Sequence, residues 1–196
     1  MPLTPPPQPR RRLHTRELRY DGFKRADGAY EIEARITDLK DADFLLASGL
    51  RRGGDPVHDM SVRIIFNAEF VITDVEACSD WVPYPGGCES IGPAYKRMVG
   101  VSLMQGFRNA LRERLGGIEG CTHITELLGG LPTAAIQMRS GEVRDTDGVN
   151  GNKPFQLDRC HALATTKETV RRYYPRWYRD GVAPAVETGH AREAEK

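Results

Sequence analysis

The chain has 196 residues, of which 39% are hydrophobic and 28% charged, and its formal net charge is +1. That length suits one domain with a packed core, and the near-neutral charge argues against nucleic acid or a membrane surface as the partner. No apolar run is long enough to span a bilayer and no secretory h-region opens the chain, so the cytoplasm is expected, with Cys78, Cys88, Cys121 and Cys160 as thiols or metal ligands rather than disulfides.

Residues 1–19 open on a Pro-rich run followed by Arg10-Arg11-Arg12. Such a segment has little apolar area to bury and reads as a flexible, solvated arm. The domain is expected over residues 20–180, followed by a polar tail over 181–196. After the turn signal Asp27-Gly28, Tyr30, Ile32, Ala34 and Ile36 alternate with polar residues, the period of a half-buried strand. Asp41 to Asp55 reads as a connection that delivers the chain to Val57-His58-Asp59-Met60. Val62, Ile64 and Phe66, a turn at Asn67-Ala68-Glu69, and a second alternating run through Phe70, Ile72 and Asp74 predict a β-hairpin. The fold class is therefore α+β: a small antiparallel sheet of three or more strands with helices packed on one face.

Trp81 to Gly87 is a Pro/Gly-rich loop with Cys88 at its end. A short helix is expected at Tyr95–Val99. Leu103, Phe107, Leu111 and Leu115 mark a longer one, closed by Gly116-Gly117. Ile124, Leu127, Leu128 and Leu131 fall at i, i+3, i+4 and i+7 and predict a helix that starts near Thr122 and is ended or kinked by Pro132. Cys121 stands at that start, where unpaired N–H groups and the helix dipole favour a thiolate, and His123 adds an imidazole in the same turn. Gly141 to Lys153 is a polar loop; its Asp-x-Asp-Gly lacks the later Glu of a calcium loop. Thr165 and Glu168 form a capping box for a helix through Val170 to Tyr174. The aromatic and Arg-rich segment from Tyr173 to Arg179 is expected to pack on the body of the protein.

Thiolates and imidazoles gathered from the ends of elements are the donors that zinc or iron uses. His58, Cys88, Cys121 and His123 are the expected metal ligands, with Asp59 as a further candidate and Cys160 as an alternative fourth. In an enzyme the metal would act as a Lewis acid on a small carbonyl or carboxylate substrate. Asp59 or His161 would move protons, and Arg159 would clamp a carboxylate. A closed metal site in a carrier protein is one alternative. A metal-free enzyme with Cys121 as nucleophile is another, its base being His58, His123 or His161.

Tyr20-Asp21-Gly22, Asp27-Gly28-Ala29-Tyr30, Ile36-Thr37-Asp38, His58-Asp59-Met60, Cys88, the block from Leu115 to Leu128 with Gly-Cys-Thr-His at its centre, and Asp158-Arg159-Cys160-His161-Ala162-Leu163 resemble a bacterial family, domain of unknown function 2889. The resemblance runs from about Leu13 to Tyr178, with Gly-Cys-Thr-His as its most specific part, and raises His58, Cys88, Cys121, His123 and Cys160 as a group. More distantly, a hairpin, a loop Cys and a Cys-led helix are similar to the layout of IscU-type iron–sulfur scaffolds. That similarity implies an IscU-like arrangement with a C-terminal extension. It puts His58 beside Asp59 in the first ligand position, Cys88 in the second, and Cys121 with His123 in the third. His in place of the first Cys, and Cys-Thr-His in place of His-Cys, make a mononuclear zinc or iron site the better match than a transient cluster.

Overall fold

The computed structural model describes residues 3–140, 142 and 151–180. The tail 181–196 and most of the polar loop read at Gly141–Lys153 lie outside the described residues. The chain divides into two compact units, Met1–Arg139 and Ser140–Lys196.

The first unit is built on four antiparallel strands: β1 (His14–Lys24), β2 (Tyr30–Lys40), β5 (Pro56–Phe66) and β6 (Ile72–Trp81), in the order β1-β2-β5-β6. Between β2 and β5 lies a small separate hairpin, β3 (Phe44–Leu46) with β4 (Gly49–Arg51), inside the segment read as a plain connection. The α+β class holds, with one strand more at the N-terminus than the alternation revealed. β1 begins at His14, within the residues read as a flexible arm, and pairs along its whole length with β2, from His14 opposite Lys40 to Lys24 opposite Tyr30. Its sequence hid this because the face it turns to the helices carries His14, Arg16, Leu18, Tyr20 and Gly22, which is not an apolar period.

In β2 the alternation works as read: Tyr30, Ile32, Ala34 and Ile36 are buried on one face. Met60, Val62, Ile64 and Phe66 of β5 continue that face across the ladder, Ile36 standing opposite Met60 and Ala34 opposite Val62. The opposite face is charged. Arg63 bridges Glu33 and Glu76 there, and Arg25 bridges Asp27 and Glu31.

Helices cover the apolar face. A 3-10 stretch at Glu89–Met98 follows β6, then come α1 (Phe107–Leu115), a 3-10 turn at Gly117–Glu119, α2 (Thr122–Gly129) and α3 (Leu131–Arg139). Phe107, Leu111 and Leu115 of α1 are buried at helical spacing, as are Ile124, Leu127 and Leu128 of α2. Each such side chain contributes on the order of 1.5–3 kcal/mol by leaving water. α2 packs on β2 and β5, and α3 on β1 and β2. Pro132 falls in the first turn of α3, where its missing N–H costs no helical bond, so it starts a helix rather than kinking one.

The second unit holds a 3-10 turn at His161–Leu163, α4 (Glu168–Tyr173) and a 3-10 turn at Pro175–Trp177 around its own cluster of Leu157, Val170 and Tyr174. The capping box expected from Thr165 and Glu168 does not form. The Thr165 backbone N–H and hydroxyl instead donate to the Asp158 carboxylate at 2.8 and 3.1 Å, and Lys167 occupies the cap position without a side-chain bond. No helix among the described residues is long and apolar enough to cross a membrane.

Candidate metal centre

The apolar stripe of β2 ends on a charge. Asp38 continues the positions of Tyr30, Ile32, Ala34 and Ile36, so strand alternation turns its carboxylate to the helix-covered face, where it is 2% exposed. A register shift between Asp38 and Leu39 marks a bulge at this point of the β2–β5 ladder. The strands on either side set their own polar groups against it: Arg16 of β1 and His58 of β5 are the register partners of Asp38.

Asp38 is the hub of the resulting network. Arg16 donates to both carboxylate oxygens, Nε to Oδ1 at 2.8 Å and Nη2 to Oδ2 at 2.9 Å. His14 Nε2 lies 2.7 Å from Oδ1, and His58 Nδ1 lies 3.0 Å from Oδ2. From above, the first turn of α2 lowers His123 onto His58, the rings stacked with centroids 3.7 Å apart, and brings His123 Nε2 to 4.0 Å from Asp38 Oδ2. Glu126, one turn further along α2, takes the third arm of Arg16 at 2.6 Å. One donor atom each from Asp38, His58 and His123 falls within 4.8 Å of the other two.

The electrostatics follow from this crowding. Burial works against the Asp38 charge, but hydrogen bonds from Arg16 and His14 outweigh it and hold the carboxyl at about 2. Burial lowers the proton affinity of His58, and neighbouring His123 lowers it further, against the opposing pull of Asp38. Burial and then Arg16 do the same to His123.

α2 is aimed at this point by its own start. The Cys121 N–H donates to the Tyr95 hydroxyl at 2.9 Å, and that hydroxyl donates to the Cys121 carbonyl at 3.0 Å. Tyr95 is fully buried, so the helix start is tied to the core rather than to solvent. Gly120 is required by the approach: a Cβ there would lie 2.4 Å from the Leu115 carbonyl oxygen.

Of the residues expected at the site, His58 and His123 meet. Asp59 does not join them, because adjacent residues of a strand point to opposite faces. Its carboxylate lies on the charged side of the sheet and is held by Arg35, with Nε at 2.7 Å. His58 and Asp59 are also not ahead of the strand but within β5. Cys121 touches the centre at its edge, Sγ lying 4.0 Å from His123 Nδ1 and 3.9 Å from Met60 Sδ. Cys88 is half-buried ahead of the Glu89–Met98 stretch, packed against the apolar core, and is not a member of the three-residue group. Arg159, Cys160 and His161 belong to the second unit and are exposed there. All four cysteines are free thiols. Sequence reasoning missed Asp38, Arg16 and His14. The available signal was an ionisable residue on the apolar phase of β2, two residues after Ile36.

The family model described as a protein of unknown function, DUF2889, matches residues 14–137. The chain belongs to this family. In this DUF2889 chain the match takes in the four-stranded sheet, α1 and α2 and nearly all of α3, and thus the whole Asp38 centre. It stops before Asp158–Leu163, which the resemblance had included. No curated protein and no solved structure matches the chain, so the IscU-type layout gains no support from either.

Proposed function

We propose that this DUF2889 protein binds one divalent metal ion, zinc or iron, through Asp38, His58 and His123, and that it is an enzyme acting on a small carbonyl or carboxylate substrate. The observation that carries this reading is the convergence of one carboxylate oxygen and two ring nitrogens within 4.8 Å at the end of an apolar face. Two imidazoles and a carboxylate suit zinc or non-haem iron(II), and three protein ligands leave room in the coordination sphere for water or substrate. When bound, the ion supplies Lewis acidity for a carbonyl oxygen or for a water molecule.

The chain's own groups do the rest. Arg16, through both oxygens, and His14, through Oδ1, orient the carboxylate, as the hydrogen-bonded outer shell of a ligating carboxylate does. The lowered proton affinities leave His58 and His123 neutral at pH 7, with lone pairs free for an ion. A carboxylate thus takes the place that sequence reasoning had given to the thiolates of Cys88 and Cys121. That change weakens the scaffold alternative, in which thiolates hold a cluster. A non-catalytic metal carrier is the reading to adopt if a fourth protein ligand closes the sphere.

The test is the metal content of untagged protein prepared without chelator. Wild type is expected to hold about one equivalent of zinc or iron, with Asp38→Asn and His123→Gln near zero and Asp59→Asn loaded like wild type. Metal-free wild type, or full loading of Asp38→Asn, overturns the reading. A second reading has one observation in its favour: Cys121 Sγ, His123 and Asp38 stand in a row, with 4.0 Å at each step, the order of a thiol nucleophile, its base and an orienting carboxylate. Rapid alkylation of Cys121 at neutral pH in metal-free, folded protein would favour it.

A further inference from the structure

Cys121 stands where a ligand was expected, but its sulfur meets the wrong edge of His123 for that task. His123 turns Nε2 toward Asp38, at 4.0 Å, and Nδ1 toward Cys121 Sγ, also at 4.0 Å. The two nitrogens of an imidazole point in divergent directions, so one ion cannot be held by Nε2 and lie beside a sulfur at Nδ1. A neutral imidazole that gives the Nε2 lone pair to a metal must carry its proton on Nδ1. The group against that proton is the Cys121 sulfur.

The backbone that carries the sulfur is held in place. The Cys121 backbone is tied at both its N–H and its carbonyl to the buried Tyr95 hydroxyl, and the sulfur is backed by Met60 Sδ at 3.9 Å. Cys121 is therefore a soft acceptor facing one ring edge from a tethered backbone.

We propose that Cys121 is a positioning residue of the metal centre, its sulfur accepting the Nδ1 proton of His123 and thereby selecting the tautomer that presents Nε2 to the ion. This rests on the proposed binding of a metal by Asp38, His58 and His123. Outer-shell partners of ligating histidines affect metal affinity by roughly 10–100-fold when removed. Cys121 supplies that role here through sulfur, where a carboxylate or carbonyl oxygen more often does.

The experiment uses the full chain and three readouts. Zinc or cobalt(II) titration should give a dissociation constant at least about 10-fold weaker for Cys121→Ala than for wild type, with Cys121→Ser, which keeps an acceptor, between the two. Long-range nitrogen–proton NMR of the zinc-loaded wild type should show His123 protonated at Nδ1. The cobalt(II) form of the wild type should lack the intense near-ultraviolet band of a thiolate ligand. The NMR and cobalt readouts need no variant, so they stand even if Cys121→Ala fails to fold. A thiolate-to-cobalt band makes Cys121 a direct ligand and overturns the proposal, as does a proton on Nε2 or an unchanged affinity in Cys121→Ala. Tight binding by Asp38→Asn, or none by wild type, instead brings down the metal centre itself.

Discussion

At the scale of single residues, Asp38 carries the most consequence. Its charge is taken out of water and is tolerated because Arg16 donates to both oxygens while His14 and His58 set ring nitrogens against them. Removing that charge leaves Arg16 facing a neutral amide, so Asp38→Asn is expected to cost about 3 kcal/mol, read from urea unfolding. The pH dependence has a definite sign. Asp38 titrates at about 2 in the folded protein against an ordinary 3.8, so its contribution, roughly 2 kcal/mol, is complete above pH 4 and lost as the pH falls toward 2. His58 and His123 are shifted below their ordinary 6.5. The unfolded chain then takes up protons first, so stability is full above that value and declines as the pH drops below it. Thermal melts from pH 8 to pH 5 check this, and His58→Gln should flatten the slope. The proposed metal site is expected to lose affinity over the same range, because protons compete for the same lone pairs.

At the scale of elements, the helix start is the sensitive joint. α2 must leave the Gly117–Glu119 turn close against α1, and Gly120 permits it by having no side chain to meet the Leu115 carbonyl. Gly120→Ala must push α2 outward. We expect a loss of about 1–3 kcal/mol together with weakened metal binding, since His123 moves with the helix. Leu127→Ala probes the same helix from below. It empties a fully buried site between α2 and the sheet, for an expected cost of about 2–5 kcal/mol by chemical denaturation. The two variants separate position from packing: the first should harm metal binding more than its stability loss predicts, and the second should not. The strands were legible where their faces alternate cleanly, as in β2. The mixed face of β1 carried no such signal, because a strand that lends its side chains to a polar site need not be apolar there.

At the scale of the whole molecule, the large apolar core runs from Tyr30 to Ala135 and lies entirely in the first unit, as do all three candidate ligands. Residues 1–139 made alone are therefore expected to unfold cooperatively and to bind metal as the full chain does. Circular dichroism melts and a zinc titration would check both points. The family match ends at residue 137, in agreement with that division. His161, Arg159 and Cys160 lie in the other unit, so their removal with it should leave metal affinity unchanged.

What the sequence determined by itself was whatever depends on near neighbours. Period two across Tyr30–Ile36 and period 3.6 across Ile124–Leu131 reported which faces are buried, and Gly-Cys-Thr-His reported a helix start carrying an imidazole. His58 and His123 were legible as donors from residue type and from their place beside elements. Their common partner was not. Arg16, Asp38, His58 and His123 come from four distant segments, and strand register and helix docking alone bring them together. Register also decided the exclusions: one step along β5 separates His58 from Asp59, and that step is the difference between the covered face and the charged one. The tertiary structure therefore set a carboxylate beside the two imidazoles and the nearest thiol at the edge of that cluster.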